Sequence, residues 1–229
     1  MKASDVKQVL KRKNRRYLYH ANSVITSLTF LRNGGLMSRE IVEKSHLPQS
    51  PQITDDDDKK FHIYNDIFFD SMDLHKRFAN LNHYGPVLFV YSIDVLDLLD
   101  DYEIQVTKNN PKNWPETIAE EDKYHRDAKD WESHFFEGDF GKHITVKNIS
   151  EPIGFEHLKT ILLDDPGSDE DRKKCFDEAV EAISAELVKI KQDGILKIRK
   201  CPPRCKCKES YQSKRLGYTK HRFSTTPFC

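Results

Sequence analysis

The chain has 229 residues, no formal net charge, 37% hydrophobic residues and 32% charged residues. This length and apolar content suit one hydrophobic core with an appendage, and they exclude a wholly disordered protein. No run of about 18 apolar residues is present, and the basic start of the chain lacks the apolar segment of a secretory signal. We therefore expect a cytoplasmic protein with no membrane partner.

Positive charge is concentrated at the two ends of the sequence. Residues 1–16 carry a net charge of +6 and residues 191–229 a net charge of +9, so the part between them carries about −15. Basic ends on an acidic body suggest a face that binds an anion such as RNA or DNA. Solvated ends, or ends that pair with the acidic body, are the alternative.

The first 35 residues predict a strand between two helices. Residues 4–14 predict a short helix, and residues 16–21 predict a strand. Residues 24–31 place apolar side chains at helical spacing, and this helix ends at Gly34 and Gly35. The unit is a strand, a capped helix and a glycine pair.

The middle of the chain alternates polar loops with apolar strands. Residues 44–60 predict a polar loop, in which the four consecutive aspartates are solvated rather than metal-binding. Residues 61–70 and 86–93 are rich in β-branched and aromatic side chains and predict core strands. Residues 103–133 are polar and irregular, and we expect a long surface loop or lid there.

The last third of the core predicts two strands and one long helix. Residues 143–148 and 158–163 predict strands. Residues 168–191 predict the clearest helix, since apolar side chains recur every three or four positions and acids fill its first turn. Residues 195–199 predict one more strand. This mixture of elements predicts an α+β fold.

Two short polar segments flank the second helix. The first is Tyr-His-Ala-Asn-Ser at residues 19–23, and the second is Gly-Gly-Leu-Met-Ser at residues 34–38. A histidine nitrogen at a strand end can hydrogen-bond a ribose hydroxyl. Glycines let the main chain approach a flat ligand, and polar groups at a helix N-terminus suit a phosphate.

This pattern resembles the first motif of the ADP-ribosyltransferases, in which a histidine on a strand holds the ribose of NAD. The resemblance implies NAD as co-substrate. Asn22 stands where the family usually has threonine. The cofactor-binding residues that the resemblance implies are Tyr19, His20, Asn22, Gly35, Leu36 and Ser38.

Residues 73–77 and 82–91 extend the likeness toward the DarT-type toxins that modify DNA. The segment also resembles toxins that ADP-ribosylate messenger RNA in toxin–antitoxin–chaperone phage-defence systems. In the DarT-type toxins an arginine precedes the corresponding strand, and Arg77 matches it by position. That match implies that Arg77 neutralises the NAD pyrophosphate, for which a guanidinium is well suited. The resemblance covers roughly residues 17–163, with gaps.

The catalytic glutamate of the family usually opens the late strand, where this chain has Lys142 and His143. A carboxylate stabilises the cationic ribose carbon and can take a proton from the nucleophile. Glu137 is our first candidate for this role and Glu132 the second. His143 is the candidate base at the strand-opening position.

The resemblance implies a split, mainly antiparallel sheet with flanking helices in a catalytic domain of residues 1–194. The implied reaction transfers ADP-ribose from NAD to a nucleobase of RNA or DNA, with residues 114–140 as a substrate lid. An antitoxin protein and a chaperone are the implied protein partners. A protein-directed transferase, an NAD-dependent RNA 2′-phosphotransferase and a non-catalytic nucleic-acid-binding protein remain open.

Residues 195–229 form a basic, cysteine-rich tail. Four of the five cysteines fall in the last 29 residues, and an odd count without a signal peptide argues against a disulfide framework. Zinc prefers four nitrogen or sulfur ligands, so we expect a structural zinc ion here, with free thiols or redox pairing as alternatives. Such a basic knob would bind phosphates without reading sequence, or serve as a docking site for a partner. The candidate metal ligands are Cys201, Cys205, Cys207, His221 and Cys229.

Overall fold

The computed structural model describes residues 1–136 and 142–227. The α-helices within these residues are α1 (Ala3–Arg12), α2 (Val24–Arg32), α3 (Arg39–Lys44), α4 (Asp55–Lys60), α5 (Leu74–Phe78), α6 (Glu120–Lys123), α7 (Ala128–Ser133), α8 (Glu170–Lys189), α9 (Cys207–Ser213) and α10 (Leu216–Phe223). The strands are β1 (Tyr17–Asn22), β2 (Gly35–Leu36), β3 (Ile67–Phe69), β4 (Val87–Ser92), β5 (Ile104–Val106), β6 (Ile144–Val146), β7 (Ile153–Gly154), β8 (Leu158–Leu163) and β9 (Leu196–Ile198). Short 3-10 helices span Ile93–Leu98 and Pro111–Asn113. No helix of the described ranges combines the length and the apolar character needed to cross a bilayer.

The strands form three sheets. The largest has the order β1-β4-β8-β9, in which β8 and β9 run parallel and the other pairs run antiparallel. A second sheet has the antiparallel order β3-β6-β5, and β2 pairs with β7. The expectation of an α+β fold with flanking helices is therefore confirmed, with one mixed sheet and two antiparallel sheets.

The two larger sheets meet at Tyr19. Tyr19 in β1 exchanges two backbone hydrogen bonds of 2.9 Å with Asp70, the residue after β3. The bridge joins the C-terminal end of β3, an edge strand of the second sheet, to the middle of β1, an edge strand of the largest sheet. Side chains from β1, from β3 and from the start of β6 are thereby brought to one place.

The core lies around the central strand β4, whose six residues are all buried. Phe89 of β4 stacks on Phe155 with ring centroids 6.3 Å apart and also packs against Phe30 of α2. A strand covered on both faces reads as a continuous apolar run, as residues 87–91 do. Truncating a fully buried phenylalanine such as Phe89 to alanine costs about 3–5 kcal/mol of unfolding free energy.

Two predicted loops contain regular structure. The aspartate run of residues 55–58 opens α4, where negative side chains in the first turn interact favourably with the positive end of the helix. Residues 103–133 contain β5, the second 3-10 helix, α6 and α7. In β5, Ile104 and Val106 point to the same side and are fully buried, so this short strand completes the second sheet.

The end of the chain packs into the same core as the rest. Helix α8 begins after Asp169, whose carboxylate accepts from the Arg172 N–H at 3.2 Å, close to the predicted start. Beyond it, β9 pairs with β8, and α10 packs against α2 and α8. Tyr211 and Phe223 are buried in this shared core, so residues 195–227 are built into the fold rather than set apart as a knob.

Candidate functional site

A cavity that opens to solvent lies at the junction of the two larger sheets. Its walls come from β1, the turn before α3, α4, the segment through β3, the loop at residues 110–112 and the residue before β6. A concave site lined by aromatic side chains with a few polar groups is a usual setting for binding a small molecule or cofactor. Several of its wall residues are ionisable, and their arrangement decides what the cavity can bind.

His20 is a neutral hydrogen-bond acceptor in the cavity wall. Its Nδ1 lies 2.9 Å from the Phe68 carbonyl oxygen, so Nδ1 carries the proton and donates it. Burial lowers the pKa of His20, which keeps the imidazole neutral, and the rings of Phe30 and Phe69 flank it. Nε2 is then an acceptor, and it is buried without a hydrogen-bond partner among the described residues. An acceptor in this condition favours a ligand hydroxyl as its partner.

Asp70 and His143 face each other across the same cavity. Asp70 Oδ1 lies 3.0 Å from His143 Nδ1, and both side chains are largely buried. The contact lacks hydrogen-bond geometry, and neither atom has another partner within the described part of the chain. The main chain of His143 is fixed by Thr107, whose hydroxyl accepts from the His143 N–H at 2.8 Å. His143 therefore sits directly before β6, as predicted, with a carboxylate beside it.

Asp70 is a site residue that sequence reasoning missed. One feature of the sequence could have pointed to Asp70: it comes immediately after the aromatic strand β3, and polar residues at strand ends often line binding sites. What makes it notable is the bridge to Tyr19, which depends on pairing between residues about 50 positions apart. A local pattern does not reveal such a pairing.

Arg39 and Asp58 are further charged groups of the cavity wall that the sequence did not single out. Arg39 binds Asp55 with Nη2 at 2.8 Å and Nε at 2.5 Å, and Nη2 also donates to the Ser50 carbonyl at 2.9 Å. Its Nη1 is buried without a hydrogen-bond partner among described residues. Burial raises the pKa of Asp58 to about 7, so this carboxyl is poised to exchange a proton near neutrality. The expectation that Asp58 is simply solvated is wrong.

Tyr19 and Asn22, both predicted to contact a cofactor, line the cavity. Burial raises the pKa of Tyr19 to about 12, so its hydroxyl stays protonated. The Asn22 amide oxygen accepts from the Ser23 N–H at 3.0 Å and from Gln52 Nε2 at 3.3 Å. A Cβ at Gly85 would lie 2.1 Å from the Asn22 carbonyl oxygen, so glycine is required for the loop to pass this strand end.

The glycine turn has a structural explanation. Gly35 and Leu36 form β2 and pair with β7, and a Cβ at Gly35 would lie 2.4 Å from the Ile153 carbonyl oxygen. Ser38 caps α3, accepting from the Ile41 N–H at 3.2 Å, and donates to Asn65 at 2.7 Å. Within residues 34–38, Met37 is the one that lines the cavity.

The remaining predicted catalytic residues lie elsewhere. Arg77 is exposed on α5, with its guanidinium 5.7 Å from the Phe78 ring centre, and it is not among the described residues that line the cavity. Glu132 binds Arg12 of α1 at 2.7 and 2.8 Å and does not line the cavity either. Glu137 falls in residues 137–141, outside the described residues.

Comparison with family models and curated proteins gives no guide to this site. No family model matches the chain, and no curated protein matches it. Besides the cavity, the described residues contain a second cluster of side chains that can bind a ligand, around residues 201–207.

That second cluster combines one histidine with three cysteines. The ligand atoms of His75, Cys201, Cys205 and Cys207 all lie within 4.8 Å of one another, so the group can hold a metal ion. His75 lies on α5, Cys201 and Cys205 lie in the turn after β9, and Cys207 begins α9. All three cysteines are free thiols.

The structure brings three of the five predicted metal ligands together and adds a histidine that sequence reasoning missed. His75 stands 126 residues before Cys201 and carries no local signal of metal binding. His221 lies on α10 and is not part of this group, while Cys229 lies outside the described residues. A weaker group of three, His125, Asp130 and the exposed His134, lies at α7.

Proposed function

We propose that this chain is an NAD-dependent ADP-ribosyltransferase that transfers ADP-ribose to a nucleobase of RNA or DNA. The observation that carries the proposal is His20: a neutral histidine on β1, in the wall of the cavity, whose Nε2 has no hydrogen-bond partner among the described residues. A ribose hydroxyl is a suitable donor for that nitrogen. The resemblance of residues 19–38 to the first motif of the ADP-ribosyltransferases assigns the same role to this histidine.

The other wall residues suit the remaining parts of NAD. Tyr19 and Tyr84 offer protonated aromatic side chains, since burial raises the pKa of both phenols. Such rings can stack on nicotinamide. Arg39 Nη1 has no hydrogen-bond partner within the described part of the chain, and Lys112 also lines the cavity, so these two cations would bind the pyrophosphate. Arg77, which the resemblance suggested for that role, is exposed on α5.

Asp70 and His143 suit the reacting centre. In the proposed reaction the bond between ribose C1′ and nicotinamide breaks, and nicotinamide leaves with the bonding electrons. A bond forms between C1′ and an atom of the nucleobase, which loses a proton. Asp70 places negative charge beside the cationic ribose carbon, and His143 accepts the proton. Glu137 stays the sequence-based candidate for the carboxylate role.

The nucleic-acid target rests on charge and on the resemblance. Both ends of the sequence are strongly basic, which favours a polyanionic substrate. The likeness to toxins that modify DNA or messenger RNA points the same way. We accordingly propose a toxin of a bacterial toxin–antitoxin or phage-defence system, with an antitoxin protein and a chaperone as partners.

Labelling with tagged NAD tests this function. The wild-type chain is incubated with separate pools of RNA, DNA and protein, and nicotinamide release is measured alongside. We expect label in one nucleic-acid pool, and its loss in His20→Ala and Glu137→Gln. His157→Ala, a histidine outside both the cavity and the predicted lid, serves as the matched control and keeps activity. Equal labelling by wild type and His20→Ala would refute the role of His20, and label in the protein pool alone would overturn the nucleic-acid target.

A second candidate function is a non-catalytic nucleic-acid-binding protein stabilised by zinc. The observation that favours it is the cluster of His75 with three cysteines, next to a strongly basic segment. Such a surface binds phosphates without chemistry. Binding of RNA or DNA without any nicotinamide release would support this candidate over the transferase.

A further inference from the structure

We propose that His75 Nδ1 and the thiolates of Cys201, Cys205 and Cys207 bind one structural Zn²⁺ ion, which fastens the C-terminal segment to helix α5. The inference is independent of the transferase proposal. It depends on four side chains outside the cavity and on the groups that support them.

The distances between the four ligand atoms suit a tetrahedral ion. His75 Nδ1 lies 3.8 Å from Cys201 Sγ and 3.9 Å from Cys205 Sγ, and Cys201 Sγ lies 3.3 Å from Cys207 Sγ. Zinc with Zn–S bonds of about 2.3 Å and a Zn–N bond of about 2.0–2.1 Å places neighbouring sulfurs about 3.8 Å apart and sulfur and nitrogen about 3.6 Å apart. The four atoms therefore already stand near the corners of such a site.

The chemistry of the donor set selects zinc and a structural role. Three thiolates with one imidazole are soft or borderline ligands, which exclude magnesium and calcium and favour Zn²⁺. Four protein ligands close the coordination sphere and leave no open position for a substrate. His75 and Cys207 are buried, and the other two cysteines are half-buried, so the ion would lie just beneath the surface.

A buried network orients the histidine. His75 Nε2 lies 3.1 Å from Asp164 Oδ2, a contact without hydrogen-bond geometry, and the same oxygen accepts from the Tyr211 hydroxyl at 3.0 Å. Asp164 Oδ1 accepts from Arg199 Nε at 2.8 Å, and Arg199 Nη1 donates to Asp73 at 2.7 Å. A proton on Nε2 would face this carboxylate and leave the bare Nδ1 for the metal that the sulfurs share. Carboxylate–histidine–metal arrangements of this kind are a regular feature of zinc sites.

The backbone holds the cysteines in place beside α5. The Cys205 N–H donates to the Pro202 carbonyl at 2.9 Å, which closes the turn between the first two cysteines. The Lys206 N–H donates to the carbonyl of Ala79, the C-cap of α5, at 2.7 Å. The turn is thus attached to the helix that carries His75, independently of any metal.

A disulfide is the principal alternative. Cys201 and Cys207 have sulfurs only 3.3 Å apart, and a modest movement would bring them to bonding distance. That pairing would oxidise two thiols at the expense of an external oxidant and leave Cys205 and His75 without a common partner. The convergence of all four side chains favours the metal.

Metal counting on the purified full-length protein tests the proposal. The protein is expressed with zinc, purified under reducing conditions, dialysed, and measured by mass spectrometry in native and elemental modes. We expect one zinc per chain and no Cys201–Cys207 disulfide. Since three thiols ionise on binding, adding Zn²⁺ to the metal-free protein should release up to three protons, measurable with a pH indicator.

Variants separate this site from adventitious binding. His75→Ala and Cys205→Ser should lose the zinc, whereas His75→Cys should recover it as a four-thiolate site. Cys175→Ser, which alters a free cysteine of α8 outside the cluster, is the matched control and should keep it. Co²⁺ in the wild type should give tetrahedral bands with thiolate charge transfer, and His75→Cys should strengthen the charge-transfer band.

Several results would overturn the site. Folded wild-type protein without metal in the presence of added Zn²⁺ would do so, as would zinc retained by His75→Ala at wild-type stoichiometry. A Cys201–Cys207 disulfide that persists under reducing conditions would assign the sulfurs to redox pairing instead. If His75→Ala is insoluble, the cobalt spectrum and zinc count of the wild type and His75→Cys still decide the question.

Discussion

The cavity and the cysteine cluster each contain a histidine close to an aspartate, yet the two pairs differ in how they are held. Asp164, beside His75, also accepts hydrogen bonds from Arg199 and Tyr211, so its orientation is set by the protein. Asp70, beside His143, has an Oδ1 with no hydrogen-bond partner among the described residues. A fully engaged carboxylate suits a structural role, whereas a buried carboxylate with spare acceptor capacity suits contact with a ligand.

We expect the largest effect on activity from removing the charge of Asp70 in the cavity. Asp70→Asn should reduce nicotinamide release and nucleic-acid labelling by about 10²–10⁴-fold, the range for loss of a charge or an acid–base group in the transition state. The measurement is kcat/KM with tagged NAD. Asp101→Asn, an exposed aspartate, is the control and should keep full activity. Activity of Asp70→Asn close to wild type would remove Asp70 from the reacting centre.

Metal removal tests the cysteine cluster through stability. A ligand present at 1,000 times its Kd adds up to about 4 kcal/mol to the unfolding free energy, so stripping zinc from the folded protein should cost several kcal/mol. Urea unfolding is measured with a chelator and with added Zn²⁺, and Cys175→Ser should respond as the wild type does. Identical midpoints with and without the chelator would contradict a structural ion.

A smaller effect is expected from the support of His75. Asp164→Asn should weaken zinc binding by about 10–100-fold, the usual consequence of losing the carboxylate behind a ligating histidine. Competition with a chromophoric chelator gives the affinity. Asp165→Asn is the matched control, because the Asp165 side chain contacts Lys208 and the Gly167 N–H rather than His75. Equal affinities of the two variants would show that Asp164 does not act through His75.

The smallest predicted effect concerns Asp58. Its pKa is about 7 because of burial, against about 3.9 in an unfolded chain, so between these values the folded state holds a proton that the unfolded state has lost. Raising the pH from about 4 to about 7 therefore lowers the unfolding free energy through this group. Asp58→Asn should gain on the order of 1–2 kcal/mol over wild type at pH 8, and less at pH 5.

Urea unfolding at the two pH values measures the Asp58 effect. Asp56→Asn, on the exposed side of the same helix, is the control and should show no such pH dependence. A difference between Asp58→Asn and wild type that stays constant from pH 5 to pH 8 would mean that Asp58 ionises normally in the folded state.

Local patterns predicted the elements that form from neighbouring residues. The apolar spacing of residues 24–31 and 168–191 matched α2 and α8 to within a few residues, and the strand predicted at residues 16–21 matched β1 to within one residue at each end. The position of His20 on a strand beside a helix also followed from the sequence. Short elements such as α4 and β5 were missed, because six and three residues carry too little periodicity to separate them from a loop.

The sequence alone determined the residue types from which both sites are built: a histidine on the first strand, and three cysteines close together near the end. Only the tertiary structure decided their partners. Asp70 meets His143, and His75 meets the cysteines, through pairings that span tens to more than a hundred residues. Such pairings are set by the burial of whole sheets and helices against one another, which depends on the sum of many distant contacts and not on any local run of residues.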